Sequence, residues 1–129
     1  MAANLTASDV VVSMTKAYDL DTSPDGQVGK RAYASLAFGA ADGSLTYPAN
    51  GIPLPAPEYF SMNFPVPYRW INFRQPVVAA ANILYRYDPT VRTGAPYGTI
   101  RMIVISTGAE VATNAAVGVT TLPVEVLGK

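Results

Sequence analysis

The sequence predicts a small all-β domain, a β-sandwich or jelly roll with a small β-barrel as the alternative, carrying one long proline-rich extended segment. Three observations support this. Six or seven short segments alternate apolar and polar residues with the period of two that a half-buried strand requires. Ten glycines and eleven prolines punctuate the 129 residues. No stretch sustains the 3.6-residue periodicity of an amphipathic helix. Many short strands with Gly/Pro-rich connections pack as sandwiches, jelly rolls or barrels.

In chain order, residues 1–7 are small and polar, and are expected to form a flexible arm. Asp9 to Met14 alternates, with Val10, Val12 and Met14 on one face, and reads as a strand. Tyr18 to Gly29 holds Asp19, Asp21, Pro24 and Asp25, and reads as a loop. Its aspartates resemble a calcium loop, but an EF-hand needs glycine at position six and glutamate at position twelve. Counting from Asp19, those positions hold Pro24 and Lys30. Ala32 to Phe38 is a second strand, with Ala34, Leu36 and Phe38 sharing a face. Asp42-Gly43 then marks a turn.

The proline-rich segment runs from Leu45 to Pro67 and contains Pro48, Pro53, Pro55, Pro57, Pro65 and Pro67, with Pro76 just beyond. Each proline fixes φ and removes a backbone donor, and the residue before it is pushed to extended conformations. The segment is therefore extended, with a turn at Asn50-Gly51. It keeps apolar residues throughout, unlike a flexible linker. Two readings stay open: an arm laid against a neighbour, or a long loop packed on its own domain. Pro67 to Arg74 has the strongest β-propensity, with large apolar groups on both faces. Asn82 to Tyr87, closed by Asp88-Pro89, and Thr99 to Ile105 are further strands, the latter expected to be the most central, with a loop from Thr90 to Gly98 between them. Ala109 to Gly118 is expected to be irregular. Val119 to Leu127 alternates again, with Leu122, Val124 and Val126 inward. Pro123 predicts an edge strand or a bulge there.

A chain of 129 residues and 13.6 kDa is one domain, 1–129, by default. It buries roughly 67% of its unfolded surface, enough for a core without staples. Only 14% of residues are charged, against ~25% in an ordinary domain. A surface so poor in charge suits an oligomer or assembly subunit. The net charge is zero, so no bulk field attracts nucleic acid or membrane. Between Tyr68 and Ile105, however, Arg69, Arg74, Arg86, Arg92 and Arg101 stand against Asp88 alone. Arginine is the cation favoured at protein interfaces. The first residues lack a basic and apolar leader, and the apolar run Val77 to Ala81 is too short to span a bilayer. Synthesis in the cytoplasm is the expectation.

Cysteine and histidine are both absent. That excludes disulfides, thiol chemistry, histidine bases, Ser-His triads and zinc sites of the usual kinds. Lys16, Lys30, Glu58, Glu110 and Glu125 stand in no recognisable catalytic context, and Gly26 to Arg31 misses the spacing of a phosphate loop. The expectation is a non-enzyme with no cofactor, no metal and no nucleic-acid partner.

The block Gly43-Ser44-Leu45-Thr46-Tyr47-Pro48-Ala49-Asn50-Gly51-Ile52-Pro53-Leu54-Pro55 resembles a "G-x-L-T-Y-P-x-G-G-I-P-L" segment of small structural proteins from tailed-bacteriophage head modules. Tyr85-Arg86-Tyr87-Asp88 is similar to their "Y-x-Y-D", Thr107-Gly108-Ala109-Glu110-Val111 to a "T-G-A-E-L"-like element, and Val124-Glu125-Val126-Leu127-Gly128 to a C-terminal "V-E-V-x-G". The likeness runs from about Ala37 to the end. Asn50 stands where the family has glycine, and the connection from Pro89 to Gly98 is longer than the tight turn expected after "Y-D". The resemblance implies a capsid cement or decoration protein on the virion surface. Such a protein binds the outside of the head and clamps neighbouring major capsid subunits. Its partners would be the major capsid protein and itself, with a homodimer favoured over a trimer. A carbohydrate- or receptor-binding module of a phage tail or fibre is the alternative, because exposed aromatics also stack on sugars. The interface residues expected under the first reading are Tyr47, Ile52, Leu54, Tyr59, Phe60, Arg69, Trp70 and Arg74.

Overall fold

The computed structural model describes residues 2–22, 28–60, 70–73 and 82–128. Alternating burial builds the larger sheet. In β3 (Val28–Phe38), Ala32, Ala34, Leu36 and Phe38 are buried, while Tyr33, Ser35 and Ala37 between them are half exposed. β9 (Thr120–Gly128) repeats this with Leu122, Val124 and Val126 inward. The two strands pair antiparallel in unbroken register from Lys30↔Gly128 to Phe38↔Thr120. β2 (Val11–Thr22) lies along the other side of β3, and β6 (Trp70–Phe73) along the other side of β9, giving the order β2-β3-β9-β6.

A second antiparallel sheet has the order β5-β8-β7, with β5 at Ile52–Pro53, β7 at Ile83–Asp88 and β8 at Thr99–Val104. A short parallel pair, β1 (Ala3–Asn4) with β4 (Leu45–Thr46), completes the described strands. The inner residues of both sheets belong to one core: Leu36, Phe38, Ile71 and Val124 from the larger, Ile52, Tyr85, Ile100 and Met102 from the smaller. Phe38 meets Tyr85 edge-on, with ring centroids 6.4 Å apart and planes at 69°. Two antiparallel sheets over a shared core make a sandwich-like all-β fold, as the sequence pattern predicts. β8 is the central strand of its sheet.

Several expectations are corrected. Residues 3–5 are not a loose arm. Ala3 N–H donates to Ser44 O and Leu5 N–H to Thr46 O, each at 2.9 Å, and the Leu5 side chain is buried. The loop expected over 18–29 is shorter, because β2 continues to Thr22 and β3 starts at Val28. β9 is an interior strand without a bulge against β3, despite Pro123. Its described ladder with β6 runs from Trp70↔Leu127 to Phe73↔Val124, so Pro123 falls one position past that ladder. Only 70–73 of the strand expected from Pro67 to Arg74 lie within the described residues.

The part of the proline-rich segment that is described, up to Phe60, packs on its own domain. Tyr47, Ile52, Leu54 and Phe60 are core residues. A segment so short of donors has few backbone bonds to make, and places them well. Tyr47 N–H donates to Ala115 O at 2.8 Å, and Leu54 N–H to Gly98 O at 3.1 Å. Ile52 pairs with Ile100 on β8. The 48–51 turn closes through Gly51 N–H to Pro48 O at 3.2 Å. Asn50 has φ +69° and Gly51 +100°, so the asparagine adopts the left-handed conformation that the turn requires. The single 3-10 turn at Pro57–Phe60 is the segment's only helical piece among the described residues.

Gly51 is a close-approach position. A Cβ there would lie 2.7 Å from Ile100 O and 2.9 Å from Thr99 Oγ1. Gly94 has a similar φ, +78°, with nothing within 4 Å of its Cβ position. Gly51→Ala should therefore lower unfolding free energy by about 3 kcal/mol, combining strain and clash, and Gly94→Ala by only about 1. Urea denaturation of the two variants checks this, and equal losses would contradict the packing of the turn on β8.

Candidate functional site

Two surface features are assembled from segments distant in sequence. The first is a charged latch centred on Arg101. Its Nε donates to Asp88 Oδ2 at 2.9 Å, and its Nη1 to Glu110 Oε1 and Oε2 at 2.8 and 2.9 Å. Arg92 Nη1 also reaches Asp88 Oδ2, at 3.3 Å. Asp88 Oδ1 caps the next turn by accepting the Thr90 N–H at 3.0 Å. From the inner side, the Tyr47 hydroxyl donates to Glu110 Oε2 at 2.5 Å and accepts the Met102 N–H at 3.1 Å. Tyr47 is thus buried with its polar end fully used.

These contacts set the electrostatics. Burial, reinforced by the bond to Glu110, raises the Tyr47 hydroxyl well above its ordinary pKa. Burial pulls the Asp88 carboxyl upward, but the Thr90 hydrogen bonds and then Arg101 and Arg92 outweigh it and hold the group well below the usual carboxylate range. Glu110 behaves alike: burial raises it, and the Tyr47 and Arg101 hydrogen bonds bring it below its ordinary value. Arg101, facing two carboxylates, is held more firmly protonated despite burial. The cluster contains a base, acids and a hydroxyl, yet each is committed to another member. Such an arrangement fixes positions and leaves no group poised to exchange a proton.

The second feature is an apolar groove of about 530 Å³ between the residues entering β2, the proline-rich segment and the Pro96-Tyr97 corner. Val10 and Leu54, both buried, contribute to its lining, and Val11 and Tyr59 rise from it, each 59% exposed. Pro55 and Tyr97 add further apolar surface, and Glu58 is the charged residue of the lining. The Pro89 to Gly98 connection, longer than the resemblance implies, supplies this wall. It is ordered by reciprocal bonds between Arg92 and Ala95, at 3.2 and 2.9 Å.

The expected interface residues separate accordingly. Tyr59 is exposed at the groove. Tyr47, Ile52, Leu54 and Phe60 are buried in the chain's own core, so their side chains are not presented to a partner: the arm reading gives way to the self-packed loop as far as Phe60. Arg69, Arg74 and the Trp70 side chain lie outside the described residues. Sequence reasoning missed Val11, for which an apolar residue on the polar side of a strand was the available signal, and Tyr97, which lies in the turn before β8. It also missed the convergence of Tyr47, Asp88 and Glu110, each of which stands in a different block of the resemblance.

Among the described residues, no group of three potential metal ligands occurs, and no helix is long and apolar enough to cross a membrane. The fold and surfaces define an all-β sandwich-like domain with an apolar groove and an ionic latch. No family model, no curated protein and no solved structure shows a significant match to the chain.

The latch predicts a pH dependence. Asp88 and Glu110 have folded-state pKa values below their unfolded ones, so their contribution is complete above about pH 5, begins to fall near pH 4 and is lost only as pH drops through the lowered folded-state values. Tyr47 has a raised value, so its neutral form stabilises the fold below about pH 10, and that contribution is lost as pH rises further. Thermal melts across pH should decline at both ends, and Asp88→Asn should flatten the acid limb. Tyr47→Phe leaves the Met102 N–H without its partner and should cost about 1–3 kcal/mol at pH 7, measured by urea unfolding.

Proposed function

We propose that this chain is a non-enzymatic virion structural protein, a cement or decoration protein that binds the outside of a tailed-phage head and clamps neighbouring major capsid subunits. The resemblance in Gly43 to Pro55 motivates this reading. The observation that carries it is the apolar groove, in which Val11 and Tyr59 stand exposed beside an ordered proline-rich wall. Exposed apolar surface rimmed by polar residues marks a docking site. The groove is also built from segments already ordered, so docking loses little conformational entropy. Low charge, 14% of residues, suits a subunit covered by its neighbours. Repeated over a shell, modest contacts per copy resist expansion by internal DNA pressure. In this reading the chain acts as a homo-oligomer, with the dimer favoured.

Heads assembled without this chain, then incubated with purified protein, test the proposal. Wild-type protein should coat them at high copy number and raise their melting temperature. Tyr59→Ala and Val11→Asp should each weaken binding at least about tenfold, or ~1.4 kcal/mol, while leaving the domain's own melting temperature unchanged. Leu54 is unsuitable as a probe, because a charge at that buried position would unfold the domain. Failure to bind heads, together with glycan affinity that Tyr59→Ala abolishes, would favour the tail-module reading instead.

A further inference from the structure

The outer face of the smaller sheet is organised by strand register. Leu84 stands opposite Ile103 and Arg86 opposite Arg101. Ile105, whose N–H donates to Asn82 O at 2.9 Å, extends the row by one position. The alternate positions Tyr85 and Met102 are buried, so this set points outward. Leu84 is 48% and Ile105 60% exposed, and Arg86 is exposed between them and the latch.

Two guanidiniums directly opposite each other across a strand pair repel. The charge on Arg101 is met by Asp88 and Glu110. Arg86 has no ion pair or hydrogen bond among the described residues. It borders a shallow depression of about 270 Å³ together with Asp88, Arg101, Ile103 and Glu110. With Arg92 included, three guanidiniums share two carboxylates, and the missing counter-charge is a third. Beside it lies the apolar strip of Leu84, Ile103 and Ile105. A free arginine next to exposed branched apolar residues combines a bidentate anion receptor with desolvating contacts. A bare phosphate backbone would use the first and waste the second.

We propose that the outer face of β7 and β8 docks a partner-protein segment that presents a carboxylate beside a branched apolar side chain. The carboxylate pairs with Arg86, and the apolar group covers Leu84, Ile103 and Ile105. This surface shares no residue with the groove, so a chain using both contacts a partner in two places, as clamping requires. The identity of that partner as a capsid subunit rests on the proposed function. The chemistry it presents does not.

Two measurements test the docking face. In the first, heads lacking the chain are titrated with wild type, Arg86→Glu, Arg86→Lys and Leu84→Asp. Charge reversal and Leu84→Asp should each weaken binding at least about tenfold, and Arg86→Lys by a smaller factor, with melting temperatures unchanged. Equal binding by folded Arg86→Glu would overturn the inference while leaving the capsid reading standing. In the second, independent of heads, the peptide acetyl-Leu-Glu-Leu-amide is titrated while amide chemical shifts are followed. Shifts should map to 84–86 and 101–105 and vanish in Arg86→Ala. Shifts elsewhere, none at all, or an equal response to inorganic phosphate would overturn it. Heads that fail to bind wild type, with peptide shifts intact, would overturn only the capsid reading.

Discussion

The Tyr47 hydroxyl is the contact on which the rest of the structure depends. The proline-rich segment can offer few backbone donors, so its attachment falls to side chains and to a handful of N–H groups. Tyr47 uses its backbone on the 114–115 stretch, donating to Ala115 O and accepting from Asn114 N–H. Its ring fills the core, and its hydroxyl joins β8 at Met102 to Glu110. One residue thereby ties the proline-rich segment, the central strand of the smaller sheet and the irregular 109–117 region. β8 illustrates the accounting that this solves. On the side away from β7, it bonds β5 at Ile100, Tyr47 at Met102, and Val111 and Ala109 at Met102 and Val104. A strand whose partner on one side is only two residues long is completed by a hydroxyl and a loop.

The ionic half of the latch contributes in another way. Asp88, Arg101 and Glu110 retain 19–33% of their side-chain exposure, so solvent screens their attraction and each pair adds modestly to stability. Their value is geometric. Arg101 is planar and forked, and it holds Asp88 at the end of β7 and Glu110 in the facing loop at fixed separation. That defines where the 89–98 connection leaves the sheet, and hence where Pro96 and Tyr97 stand against the groove. Three segments distant in sequence meet here, through Tyr47, Asp88 and Glu110. They are joined by contacts that lock the fold.

This also explains what the sequence could disclose. Strands packed on one face, such as 32–38 and 120–127, announce themselves because burial alternates with the pleat. The length of β2 did not show, since residues 13–16 are exposed on both faces and an edge strand without a buried side carries no alternation. Asp19 and Asp21 then read as loop residues although they lie on a strand. Composition could not separate an arm from a self-packed loop, because both are extended and apolar. What distinguishes them is the partner of Tyr47 and Leu54, more than forty residues away in each case. The arginine-rich stretch was visible, but which arginine stays free depends on strand register. Arg101 and Arg86 look alike in sequence, and the placement of Asp88 and Glu110 gives Arg101 the ion pairs that Arg86 lacks among the described residues.

The two surfaces therefore have different origins with one consequence. The groove is made of connections, and connections are normally the mobile part of a β domain. Here they are held by the latch at one end and by the Leu54 N–H to Gly98 O bond at the other. The β7–β8 face is made of paired strands and is rigid by construction. Both surfaces are ordered before any docking, and contact surface that has to be ordered on docking returns less of its burial energy as affinity. The latch orders the groove in advance and, among the described residues, leaves Arg86 without a counter-charge beside it, so the same carboxylates that fix the fold also determine which charge the surface presents.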